Sequence, residues 1–116
     1  MKIVNLQTFL TLPAGTIFMK YVPCYFETLS AKGDSIPETR DFTYGDMAAP
    51  VDANDSGEWA DRLFDSEANS TSVALDFDCY GRDGCFEDKQ LFAVYEKEDM
   101  QKLVAKLQEC IEAAYT

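Results

Sequence analysis

The stretch DFDCYGRDGCFE, residues 76–87, gathers many of the side chains in this chain that could do chemistry. Read as a calcium loop, it places Asp76, Asp78 and Glu87 at positions 1, 3 and 12 and Gly81 at position 6. Those positions call for oxygen ligands and a sharp turn. Two residues conflict with that reading. Tyr80, at position 5, offers a phenol where a small oxygen ligand is needed, and Asp83 stands at position 8, where an apolar residue normally faces a partner loop. A second register over Asp52, Asn54, Ser56 and Gly57 puts Leu63 where the bidentate carboxylate belongs. Cys79 and Cys85 are set wider than the close pairs zinc sites use, and no histidine is available to complete a mixed site. The residues are read instead as a bend, with Gly81-Arg82-Asp83-Gly84 as the turn and Gly84 suited to a positive φ. No metal ligands and no cofactor are expected.

Catalysis is hard to build elsewhere. Without histidine the commonest general acid–base is missing. No phosphate-cradling glycine pattern, nucleophile elbow or dinucleotide fingerprint is present. The chain is therefore expected not to be an enzyme; a small carboxylate-dependent enzyme is the remotest alternative.

Charge is the stronger signal. The 116 residues carry 21 acidic and 10 basic side chains, a net charge of −11. Residues 34–88 hold 15 Asp or Glu against three Arg, so the middle of the chain supplies essentially all of the excess. Such a field repels nucleic acid and anionic membrane and attracts cationic surfaces. Direct nucleic-acid binding and membrane binding are not expected, and no apolar run reaches the roughly 18 residues of a membrane span. The expected partner-binding set is Asp52, Asp55, Glu58, Asp61 and Asp65 along a helix, joined by Asp76 and Asp78 on the outward face of a strand. A double row of carboxylates could imitate a phosphate backbone and dock in a Lys/Arg groove. The alternative is a small-ligand site for a nucleotide signal, with Arg40 and Arg82 on phosphate and Tyr21, Tyr25 and Tyr44 lining the pocket.

Several elements must position these groups. Leu6, Phe9 and Leu10 predict a short helical turn capped by Asn5, and TIFMKYV (16–22) predicts a strand, with CYFETL (24–29) read as its extended continuation past Pro23. Residues 30–41 are expected to be a turn-rich loop bending at Gly33-Asp34, followed by a short strand over 41–45. Asp55 and Glu58 fit a capping box opening a helix over 56–68, with Trp59, Ala60, Leu63 and Phe64 on one side. VALDFDCY (73–80) alternates as a half-buried strand, and LFAVYE (91–96) is apolar enough for an inner one. A last helix, 98–114, carries Met100, Leu103, Val104, Leu107 and Ile111 at helical spacing. Together they predict one α+β domain spanning residues 1–116. Its small curved antiparallel sheet is covered by a C-terminal amphipathic helix, with one further helix inserted between strands. Cys24, Cys79, Cys85 and Cys110 are expected as free thiols in a cytoplasmic protein, Cys110 as a buried small hydrophobe.

LPAGTIFMKY (12–21) and GRDGCFEDKQLFAVYE (81–96) resemble segments of small uncharacterised accessory proteins encoded by bacteriophages and prophages. Phage proteins of this size and acidity include inhibitors of host defence, some of them DNA mimics and others sequestering nucleotide signals. The resemblance implies a binding protein acting in the host cytoplasm on a basic, nucleic-acid-handling or defence protein. The chain has more aromatic residues relative to its acids than the mimics do.

Overall fold

The computed structural model describes residues 1–85 and 87–115. The chain begins with strand β1 (Lys2–Asn5), which runs directly into helix α1 (Leu6–Leu10). Asn5 ends the strand and caps the helix, its side chain accepting a 2.8 Å hydrogen bond from the Thr8 amide. Then follow β2 (Ile17–Val22), β3 (Tyr25–Phe26), β4 (Ser30–Ser35), β5 (Phe42–Asp46), α2 (Ser56–Asn69), β6 (Gly81–Arg82), β7 (Leu91–Val94) and α3 (Lys97–Ala114). The fold is α+β, as expected.

Among the described residues the strands form one antiparallel sheet in the order β1-β7-β2-β4-β5-β6, with β3 folded back on β2. Register determines its two faces. Val4, Phe92 and Lys20 align across β1, β7 and β2, and Val94, Phe18 and Ser30 align across β7, β2 and β4. This is the core face. Phe9 of α1 lies over it, stacked on Phe92 at 3.9 Å and edge-on to Phe18 and Phe42 at 4.7 and 4.9 Å. Leu6, Val94 and Cys85 complete the buried cluster. On the other face Gly45 lies under Tyr80: a Cβ there would sit 3.0 Å from the Tyr80 ring.

Three predicted elements are corrected. Residues 30–35 are a strand, buried over Ser30–Gly33, rather than a loop, because small side chains and Gly33 leave room for Thr43 and Tyr80; the chain turns later, through Ile36–Arg40. Residues 73–80 do not form a strand. Only Leu75 bridges, to Val51, and the Asp76 carboxylate accepts the Asp78 amide at 2.9 Å, turning the chain at Phe77–Asp78. Gly81–Arg82 is a short strand on β5 and not a bend, although Gly84 does take a positive φ of 69°. The far end of that expected bend, Phe86, lies outside the described residues.

β3 also differs from an extended continuation of β2. Cys24, at φ 66°, reverses the chain so that Tyr25 and Phe26 pair back with Val22 and Tyr21. The amphipathic C-terminal helix is present as α3, and no residue of it is fully buried. Met100 and Leu103 are half-buried, whereas Val104, Leu107 and Ile111 are exposed, so its cover is confined to its first two turns. No helix among the described residues is long and apolar enough to cross a membrane.

Candidate interaction surface

α2 starts where the sequence places it. Asp55 caps it by accepting the Glu58 amide at 2.8 Å, and Glu58 turns its own carboxylate to Arg62 and, at 3.3 Å, to Asn54. Arg62 also donates to the carbonyl of Asp52. Asp52 in turn bonds Ala74 at 2.9 Å, and the Asp76 amide bonds Pro50 at 2.8 Å. Asp52, Asp55, Glu58 and Asp76 are thereby tied into one region. Along the helix Glu58, Asp61 and Asp65 fall within about 60° of one another at 3.6 residues per turn. Asp65 accepts from Thr71 at 2.8 Å and Asn69 at 2.9 Å, and these bonds hold its carboxyl below the ordinary range. α2 buries none of its residues, and Trp59 and Phe64 are exposed. The outward row of Asp76 and Asp78 expected of a strand is not formed; both lie at the Asx turn.

The residues of the alternative ligand site are only partly brought together. Arg40 and Arg82 line one concave site of about 480 Å³ with Thr39, Asp41, Gly84 and Cys85. Arg82 forms an ion pair with buried Asp41 at 2.8 Å, and Arg40 donates to the Cys85 carbonyl at 3.2 Å. Asp41 also accepts the Phe42 and Gly84 amides, each at 2.8 Å. Burial pushes the Asp41 pKa up, but these amides, Arg82 and the Cys85 amide outweigh it, and the carboxyl lies below its usual value. The tyrosines lie elsewhere. Tyr21 packs on Phe26 at 5.2 Å and accepts the Cys24 amide, Tyr25 is exposed on β3, and Tyr44 packs on Phe42.

One grouping carries no signal in the sequence. Lys20 of β2 reaches Asp83 at 2.7 Å, beside a small cavity. Burial works against the Lys20 charge, but the bond to Asp83, with Glu27 adding to it, raises its pKa above normal. Nothing in local spacing links strand residue 20 to loop residue 83.

Among the described residues no three His, Cys, Asp or Glu side chains converge to hold a metal ion. The four cysteines are free; Cys85 is buried, and burial raises its pKa. Cys110 is exposed rather than buried, because its turn of α3 packs on nothing. Comparison with protein-family models, with curated proteins and with solved structures finds no match to this chain.

Proposed function

We propose that this chain is a non-catalytic binding protein that docks α2 against a basic site on a partner. One observation carries the reading: α2 is capped by Asp55 and presents Asp61 and Asp65, together with Trp59 and Phe64, to solvent beside the half-buried Glu58, and none of its residues is fully buried. Exposed aromatic anchors flanked by charge are the chemistry of an interface. The aromatics supply buried area on docking, and the carboxylates supply steering and selection of a cationic counterpart. The phage resemblance supports a partner that handles nucleic acid or serves host defence, met in the host cytoplasm.

Capture from bacterial lysate on the immobilised chain, at low and high salt, tests this reading. A partner should be retained at low salt and lost steeply at high salt. Retention unchanged by joint reversal of Asp55, Glu58 and Asp61 to Lys would end the proposal.

A second reading is favoured by the convergence of Arg40 and Arg82 on one concave site. There the free edges of two guanidiniums would take a phosphate, as in a nucleotide signal. Thermal shifts with a nucleotide panel measure it, and Arg40→Ala should remove any shift.

A further inference from the structure

A folded single chain of this mass exposes about 6,300 Å² to solvent and has a radius of gyration of roughly 13 Å. This chain exposes 8123 Å², and its radius of gyration is 16.2 Å. The excess, about 1,800 Å², is more than twice the roughly 800 Å² that each partner gives to a standard interface. Both α2 and α3 contribute to it, since neither buries a residue. The case of α3 is the more extreme. Asp99, Met100 and Leu103 are half-buried, and every residue over 104–114 is exposed. That stretch is about three turns long, and isolated helices shorter than about 12–15 residues are marginal in water. A helix of this kind draws most of its stability from packing its apolar face.

Charge decides which helix can meet its own copy. The whole chain has a net charge of −11, so two copies repel wherever carboxylates face one another. α2 sets Asp61 and Asp65 beside its exposed Trp59 and Phe64, so two α2 faces would bring like charges together. α3 is different. At ~100° per residue, Met100, Val104, Leu107, Ile111 and Ala114 fall within about 80° of one another. Of this stripe Val104, Leu107 and Ile111 are each at least half exposed. Only Lys97 borders the stripe; Glu98, Asp99, Lys102, Lys106, Glu109 and Glu112 all lie on the rest of the circumference. Gln101 and Gln108 flank it without charge. Its steps of four, three and four residues from Met100 to Ile111 follow the coiled-coil repeat and read the same in both directions. Turned end for end, the stripe therefore fits itself: Val104 faces Leu107, and Met100 faces Ile111. A two-fold axis requires this self-complementarity of a single surface.

We propose that a second copy of this chain covers α3, the two helices packing antiparallel about a two-fold axis between Val104 and Leu107. The seam is apart from the α2 surface and does not rest on the function proposed for it.

Sedimentation equilibrium of the full chain across the micromolar range tests the proposal. A dimer mass is expected. Raising the salt should tighten the dimer, because screening relieves repulsion between two acidic chains; a partner held on α2 by charge would respond the opposite way. Val104→Lys and Leu107→Glu, both at exposed positions, should each raise the dissociation constant at least tenfold. The doubly substituted chain should recover much of that loss, because the antiparallel seam sets each new ammonium against a new carboxylate of the second copy. Trp59→Ala should leave the dimer unchanged. A wild-type chain that stays monomeric would overturn the proposal and leave α3 to a foreign partner. A dimer that survives both single substitutions, or one that Trp59→Ala dissolves, would move the contact elsewhere and also overturn it. A double variant no more dimeric than the single ones would rule out the antiparallel seating.

Discussion

The ammonium of Lys32 lies 5.7 Å from the centroid of the Phe9 ring, inside the core. Lys32 is 1 % exposed, and its Nζ donates to the Gly33 carbonyl at 3.1 Å and to the Ser35 hydroxyl at 2.8 Å. Among the described residues it makes no ion pair. Burial lowers its pKa, with Asp34 opposing from a distance. A charge held this way disfavours the folded state across the neutral range. Lys32→Met keeps the volume and removes the charge, and should stabilise the fold by about 1 kcal/mol at pH 7. Because the folded pKa is below the unfolded one, the cost is full at low pH and relieved as pH rises through the folded value. Urea unfolding at pH 7 and pH 10 should therefore show the gap between variant and wild type narrowing. A variant less stable than wild type at pH 7 would contradict this account.

Asp41 behaves in the opposite sense. Its depressed pKa contributes stability that is fully present above the unfolded value, near 3.9, and lost as pH falls through the folded one. Asp41→Ala strands the Phe42 and Gly84 amides and the Arg82 guanidinium, and should cost about 3 kcal/mol at neutral pH. It should also flatten the acid limb of stability against pH below about 4, measured by urea unfolding from pH 2.5 to 7.

Phe92 is the central wall of the core, stacked on Phe9 and 5.9 and 5.8 Å from Phe18 and Phe42. Phe92→Ala should cost about 3–5 kcal/mol, a large share of the stability of a domain this size. A calorimetric midpoint within a few degrees of wild type would show that the cluster does not carry the fold.

Asp55 has two roles that can be separated. Asp55→Ser keeps the cap and removes the charge; Asp55→Ala removes both. The first should leave stability within a few tenths of a kcal/mol, and the second should cost about 1 kcal/mol, read from thermal melts. If α2 is the docking surface, both should weaken partner retention at low salt by a similar factor, since both remove one carboxylate.

Much of this fold was legible in the chain. Asn5 and Asp55 announced their helices because a cap is a local event: one side chain and an amide three residues on. LFAVYE announced an inner strand because burial on both faces leaves an apolar run. β4 was not legible, since Ser30–Gly33 are buried for reasons that lie elsewhere: Gly33 yields to Thr43 and Tyr80, and Lys32 lies against Phe9. VALDFDCY misled for the converse reason. Its alternation is regular, but Asp76 captures the Asp78 amide locally and no strand is offered to pair beyond Val51. Of the candidate site, the acids of α2 could be placed from helical spacing. The meeting of Arg40 with Arg82 and of Lys20 with Asp83 could not, because contacts between distant segments leave no periodic trace.

β7 lies between β1 and β2, although it follows every other strand in the chain. A ribosome making this protein therefore releases both neighbours of an empty slot long before it makes the strand that fills it. Until Leu91–Val94 emerge, β1 and β2 have unpaired backbone edges, and Phe9 and Phe18 lack the ring that closes over them. The nascent polypeptide must wait in an open state that invites chaperones or aggregation, and its final collapse depends on one late, long-range insertion.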